Sequence, residues 1–397
     1  MPNSPRPVYL DHHATTPVDP RVFEAMRPFF LEQFGNAASV NHAYGWEAAA
    51  ATEQAREEIA RLLNTDSSSL IFTSGATEAN NLALLGGVRA APAGRHVITT
   101  AAEHRSVLDP LRRLQRSGTE LTVLPVDEYA CVHPKQVAAA IQPNTVLVSV
   151  IFASNEVGSI NPIREIGEVC RQRGVLFHSD AVQAVGKIVL DLSELPVDLL
   201  SLSAHKLYGP KGVGALFVRR DQGRIALEPL LYGGGHERRL RSGTLPVPLI
   251  VAFGTACQIA GEEMLEEAAR LEMLREGLKN NLLRELDGLR FNGHPTARLP
   301  GNLNVSFEGV DGEALMAGLT GLAISSGSAC TSADPEPSHV LKAMGLSDAL
   351  TRASLRFGLG RNTDQADIDE ATRIVTNAVR RLRQSSTQTR VDNRTCD

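Results

Sequence analysis

No C-x-x-C pair occurs in this sequence, and its five cysteines (Cys131, Cys170, Cys257, Cys330 and Cys396) are odd in number and widely spaced. That pattern gives neither a disulfide framework nor a zinc site. Eleven histidines are present, but His12 and His13 adjoin each other instead of sharing a helix face, and no His/Cys ligand spacing recurs. No metal is assigned. Long apolar runs are missing too: nothing approaches the ~20 residues that span a bilayer, and Met1 to Arg6 is polar and proline-rich rather than a signal peptide. A cytoplasmic protein without a membrane partner is expected. A strong excess of one charge is also lacking. The net charge of -5 and pI near 6.1 argue against nucleic acid or anionic membrane as a dominant partner. No internal repeat or low-complexity block interrupts the chain.

What is present is a chain of 397 residues, 43% hydrophobic, long enough to bury a large core and to divide into two domains. Short apolar strands alternate with helical stretches through about residue 220, which indicates α/β architecture with a largely parallel sheet. Leu70–Thr73 turns through Gly75 into a helix beginning near Ala76. His96–Thr100 leads to a helix with Ser106 and Asp109 at capping-box spacing. Thr145–Phe152 is followed by a helix over Ile163–Arg173, and Asp19-Pro20 opens an earlier helix with Asp as cap. A long helix from Pro248 to Leu286 bridges to the smaller domain, where Asn302–Phe307 alternates as a half-buried strand. A last amphipathic helix carries Ile368, Ala371, Val375, Ala378 and Leu382. The polar tail from about Gln384 is expected to be disordered.

Chemistry gathers at the strand ends, where sites of open α/β sheets lie. Asp198–Lys206 is an apolar strand that stops on hydroxyls, an imidazole and the amine of Lys206. A lysine there is poorly solvated as ammonium, which lowers its pKa and leaves a nucleophile able to bond a carbonyl. The neighbouring strand Val175–Gln183 ends on Asp180. An Asp and a Lys so placed are what pyridoxal phosphate needs, the first to protonate the pyridine nitrogen and the second to carry the aldehyde. The helix start after Ser74-Gly75 offers N–H groups and a positive dipole end to a phosphate, with Ala76 and Thr77 as the candidates. His104 stands at a strand-to-helix mouth, where an imidazole can move protons. Asn155 follows another strand and can donate its amide, as can Gln183. Cys330 lies amid small residues in Ser325-Ser326-Gly327-Ser328-Ala329-Cys330-Thr331-Ser332, with nothing bulky to bury it, whereas Cys170 and Cys257 fit helix cores.

Taken together, Ser203-Ala204-His205-Lys206-Leu207-Tyr208-Gly209-Pro210-Lys211-Gly212, the N-terminal Tyr9-Leu10-Asp11-His12-His13-Ala14-Thr15-Thr16-Pro17 and the Cys330 segment resemble the pyridoxal-phosphate cysteine desulfurases. The match is to their longer-loop class of housekeeping and nitrogen-fixation type, within the class V aminotransferase-like family, and it runs from Val8 to about Arg361. It implies a fold-type I enzyme with a mainly parallel seven-stranded sheet flanked by helices in a large domain, 15–262. A smaller α/β domain, 1–14 with 263–397, would carry the Cys330 loop. By the same resemblance Ala76, Thr77, His104, Asn155, Asp180, Gln183, Ser203, His205 and Lys206 hold the cofactor. His104 stacks on its ring, and Arg356 grips the substrate carboxylate with Asn155 and Asn36 nearby. Ala37 replaces the family's usual proline beside Asn36, and Ser154 stands where a second Asn is common. Arg241-Ser242-Gly243-Thr244 implies a homodimer in which Thr244 completes the partner's phosphate site. The implied reaction converts L-cysteine to L-alanine with a persulfide on Cys330, for delivery to an acceptor such as an iron-sulfur scaffold. The alternatives are an aminotransferase or another lyase, a selenocysteine lyase, and a non-enzymatic sulfur-carrier hub. The C-terminal segment is unlike the one many family members use to hold a scaffold protein.

Overall fold

The computed structural model describes residues 6–91, 95–221, 223, 225–326 and 337–392, with side chains through Ser385. Its strands are β1 (Val8–Tyr9), β2 (Leu70–Thr73), β3 (His96–Thr100), β4 (Glu120–Leu124), β5 (Thr145–Ser149), β6 (Leu176–Asp180) and β7 (Leu199–Ser203). They continue as β8 (Gly214–Val218), β9 (Leu289–Asn292), β10 (Asn302–Phe307), β11 (Leu322–Ala323), β12 (Ser325–Ser326) and β13 (Ser354–Gly358). Seven of them form the central sheet in the order β2-β8-β7-β6-β5-β3-β4. Only β8 runs antiparallel to its neighbours; the pairs from β7 across to β4 are all parallel. Every residue of β2, β7 and β8 is buried, as a sheet covered by helices on both faces requires.

Register aligns the strand ends that matter. Thr73 of β2 and Ser203 of β7 both pair with Gly214 of β8, so those two ends emerge side by side. A Cβ on Gly214 would lie 2.5 Å from Leu202 O and 2.8 Å from Gly75 Cα. Glycine is what lets the β2 turn close over β7.

The helix from Ile163 to Arg173 ends on Gly174 in the left-handed region (φ 65°), and Asp19 caps Pro20–Met26 through Arg21 N at 2.9 Å. The helix Arg105–Arg116 departs from expectation. Its cap is His104, whose Nδ1 accepts from Ser106 N at 3.1 Å, not Ser106. The imidazole is the first acceptor in reach of the first-turn N–H groups, which leaves the Ser106 hydroxyl for other partners.

The helix Val247–Glu285 is a shared spine. Its first half places Ile250, Phe253 and Cys257 in the core beneath the central sheet. Its second half places Leu271, Leu278 and Leu282 in another core, against the antiparallel sheet β12-β13-β10-β9. The N-terminal strand β1 joins that second region, parallel to β11. The final helix runs from Gln365 to Asp392, beyond Gln384 where disorder was expected; extending a formed helix needs no new nucleus. Cys330, Cys396 and the segment between Ser326 and Pro337 lie outside the described residues.

Two glycines of the spine should respond oppositely to alanine. A Cβ on Gly254 would meet Ala55 Cα at 2.6 Å, whereas one on Gly277 meets nothing within 4 Å. In urea titrations, Gly254→Ala is expected to lower stability by about 1–3 kcal/mol through overpacking. Gly277→Ala should raise it by up to about 1 kcal/mol through helix propensity.

Candidate active site

The C-terminal ends of β2, β3, β5, β6 and β7 open into a cleft of about 550 Å³, within the usual range for small-molecule sites. Ala76, Thr77, His104, Asn155, Asp180, Gln183, Ser203, His205, Lys206 and Arg356 all line it. Asn36 and Thr244 do not: both are exposed, and the Asn36 side chain accepts from Ala38 N at 2.9 Å.

At one end is a cup for an anion. Gly75 precedes the helix starting at Ala76 and provides no side-chain cap, so the first-turn N–H groups stay available. Ser74, Ser203, His205 and Lys211 stand around them. Burial pushes the His205 imidazole down to about 4, which keeps it neutral, and its Nδ1 meets Thr15 Oγ1 at 3.1 Å. At the other end lies Asp180, 5% exposed. Asn80 Nδ2 donates to its Oδ2 at 2.8 Å and Val182 N to its Oδ1 at 3.1 Å. Asn80 Nδ2 also reaches Ser106 Oγ at 2.8 Å, and that hydroxyl lies 2.7 Å from His104 Nδ1. The carboxylate and the imidazole are thus held by one chain of contacts. Because Ser106 N donates to Nδ1, neutral His104 carries its proton on Nε2.

Lys206 leaves a short helical turn directly after β7. Its Nζ donates to His13 O at 2.6 Å and Ala14 O at 2.5 Å. Arg356 on β13 is 2% exposed; its Nη2 pairs with Asp11 Oδ1 at 2.8 Å and its Nη1 reaches Asn155 O at 3.2 Å. Its buried Nε has no partner among the described residues. Arg356 lines the cleft, and a guanidinium there is the side chain best suited to a carboxylate. Anion cup, strand-end amine and hydrogen-bonded carboxylate in one cleft fit a pyridoxal phosphate group, and the Arg356 guanidinium fits the carboxylate of an amino acid.

Sequence reasoning missed Asn80, Ser106 and His13 as parts of this site. Asn80 shares the buried helix face of Ala79 and Ala83, a polar residue among alanines, which was a readable signal. His13 had none beyond its motif, since only the fold brings it to Gln183, where Nδ1 meets Oε1 at 2.9 Å.

Beneath His104 the Glu103 carboxyl is fully buried and takes hydrogen bonds from Thr100 Oγ1 and Ile151 N, each at 2.8 Å. Burial nonetheless lifts it from 4.5 to about 8, and the nearby Asp180 charge adds to this. The folded state therefore holds a proton that the unfolded chain releases, so this stability is complete below 4.5 and lost as pH rises through about 8. Glu103→Gln is expected to flatten the decline in urea-unfolding free energy across that window; an unchanged slope would assign the decline to other groups. Asn80→Ala removes the Asp180 donor. It should weaken pyridoxal phosphate binding by about tenfold in absorbance titrations, by the usual worth of a hydrogen bond to a charged group.

The Aminotransferase class-V family model matches residues 8–371. The cysteine desulfurase IscS of Anaeromyxobacter dehalogenans (strain 2CP-C) is 52% identical over 381 residues, 96% of this chain and 94% of that protein. A cysteine desulfurase of Homo sapiens is 48% identical over 96% of this chain and 83% of its own. Among solved structures, a NifS-like protein superposes with a TM-score of 0.88 at 36% identity, covering 95% of this chain and 100% of its own. By sequence, fold and the contents of its cleft, the chain belongs to the class-V aminotransferase family, together with the cysteine desulfurases.

Proposed function

We propose that this protein is a pyridoxal-phosphate-dependent cysteine desulfurase whose persulfide forms on Cys330. The observation that carries the reading is one cleft holding Lys206, Asp180 and His104, each after or at the end of a separate strand, together with Arg356 from the middle of β13. When bound, pyridoxal phosphate supplies an electron sink for charge developing at the substrate's Cα. The chain's own groups do the rest. Ala76, Thr77, Ser203 and His205 hold the phosphate end, Asp180 meets the ring nitrogen, and Asn155 with Gln183 donates toward the phenolic oxygen. Arg356 takes the cysteine carboxylate, and Lys206 and His104 move protons near Cα. The Cys330 thiolate attacks the substrate sulfur: an S–S bond forms, the substrate C–S bond breaks, and a proton completes alanine. In sum, Cys330–SH and L-cysteine become Cys330–S–SH and L-alanine, with no outside oxidant.

The described residues that flank the Cys330 segment support this role. On one side Ser325 Oγ donates to Asp11 Oδ2 at 2.9 Å, the carboxylate that pairs with Arg356. On the other, the Ser338 hydroxyl donates to Glu156, next to Asn155. Both anchors therefore sit beside the cleft. Cys330 is four residues beyond Ser326, a reach of up to about 14 Å at full extension.

A homodimer is part of the reading. Thr244 and Asn36 are exposed and do not line their own cleft, and Phe30, Phe34, Tyr44, Trp46 and Tyr232 are exposed as well, apolar groups that a second copy would cover. Thr244 would then complete the partner's phosphate cup. We place the activity in the cytoplasm, with an iron-sulfur scaffold or similar protein accepting the sulfur, and divide the chain as 15–262 and 1–14 with 263–397. Among the described residues, no helix is long and apolar enough to cross a membrane.

A brief L-cysteine pulse without reductant, followed by mass spectrometry, is expected to add about one sulfur atom to Cys330 and release alanine. Cys330→Ser should lose the adduct and nearly all turnover. A keto acid in place of alanine, with full turnover in the serine variant, would move the protein to the aminotransferase reading.

A further inference from the structure

Gln183 is gripped by a lysine that the reaction has not yet used. Its Nε2 donates to His13 O at 3.0 Å, while its Oε1 accepts from His13 Nδ1 at 2.9 Å and from Lys187 Nζ at 2.7 Å. An ammonium has donors and no acceptor. Lys187 therefore decides which end of the Gln183 amide is oxygen, and that oxygen in turn requires the His13 proton to sit on Nδ1. The amide nitrogen is left on the side of His13 O, the same carbonyl that receives Lys206 Nζ, with its second N–H available to the cleft that Gln183 lines.

Lys187 is enclosed for this task. It borders a small cavity of about 20 Å³ shared with His12, His13, Lys206, Glu267 and Arg361, room for about one water. Burial brings its amine down from 10.5 to about 7; the charges of Lys206 and Arg356 push the same way and Glu267 opposes them. Its charge also helps to hold His12 and His13 below the ordinary imidazole value, after burial as the main cause.

We propose that Lys187 is a positioning residue of the cofactor site, acting through Gln183: it fixes the amide so that an N–H, and not the oxygen, faces the cofactor's phenolic oxygen. The inference rests on the reading of Gln183 as a donor to that oxygen. With a neutral, non-donating side chain at position 187, the Nε2 contact to His13 O is the main restraint left, and the amide can present its oxygen to the cleft.

The test is a double-mutant cycle on the loaded protein, read by the pH midpoint of the bound cofactor's visible absorbance and by the cofactor dissociation constant. Gln183→Ala and Lys187→Met should each raise the midpoint by about one pH unit, since a lost donor makes the phenolic oxygen more basic. Lys187→Arg should restore most of the shift, and Lys187→Met should add little in the Gln183→Ala background, as expected of a residue that works through another. A full further shift in that background means that Lys187 acts by charge alone, which overturns the proposal. Gln183→Ala moving the midpoint while Lys187→Met does not overturns the Lys187 role and keeps the Gln183 reading. An unmoved Gln183→Ala overturns both. Lys187→Gln, a shorter donor without charge, is read against Gln183→Ala in the same way if the methionine variant does not fold; it should give a smaller shift that vanishes in that background, and a shift that persists there overturns the proposal.

Discussion

A guanidinium inside a protein must be answered by charge and carbonyl oxygen, and Arg356 is the largest such demand here. At 2% exposure it recruits Asp11 from the N-terminal segment and Asn155 O from the loop after β5. Losing Asp11 would leave a buried charge uncompensated, which costs about 3–5 kcal/mol when such pairs are broken. The consequence reaches well past the pair. With Asp11 fixed, the next residues are held against β13, where Gly358 and Gly360 are bare enough for His12 and His13 to pack on them; a Cβ on Gly360 would meet the His12 ring at 2.2 Å. The carbonyls of His13 and Ala14 then fall where they clamp Lys206. A residue of β13 and the amine after β7 are thus tied together through residues 11–14 near the N-terminus.

Around this frame, burial decides which groups carry charge. Glu103 and Glu156 are lifted to about 8 and about 7, and His178 within β6 is pushed down to about 3. All three are driven toward their neutral forms by desolvation, the usual outcome for an isolated titratable group in an interior. Asp180 differs in accepting two hydrogen bonds, from Asn80 and Val182. The cleft therefore brings the Asp180 carboxyl, the Arg356 guanidinium and the Lys206 amine together above buried groups that desolvation favours as neutral.

Much of this was legible in the sequence, and the reason is local. Asp180 and Lys206 stand where apolar strands stop, Gly75 marks a turn into a helix, and Ile163–Arg173 obeys its period so closely that its bounds could be read directly. Each signal depends on neighbours within a few residues. His13 gave no such signal, because what it touches is far away in the chain; Asn80, polar among alanines, gave one that did not name its partner, and Lys187, four residues from Gln183, had nothing local to mark that contact as part of a site. His13 meets Gln183 only because β1 docks on β11 and carries the following loop to the β6 turn. Asn80 reaches Asp180 across one hundred positions. The cap on the helix after β3 failed for a subtler reason: spacing fitted Ser106, but a histidine just before it had an acceptor nitrogen in better reach.

The thiols show how burial sorts residues of one type. Cys131, Cys170 and Cys257 are all enclosed, and desolvation raises the first two to about 12 and Cys257 further still. At neutral pH such a thiol is ionised in only about one molecule in 10⁵, so it is a poor nucleophile whatever its distance from substrate. Sulfur chemistry must then fall to a cysteine outside those cores. Of Cys330 and Cys396, only Cys330 lies on a stretch whose two anchors, Ser325 and Ser338, are hydrogen-bonded to Asp11 and Glu156 at the cleft. The same Asp11 that stabilises the buried arginine holds one end of the segment carrying the thiol. In the proposed reaction, substrate carboxylate recognition and thiol delivery share one carboxylate, and a change at Asp11 would disturb both together.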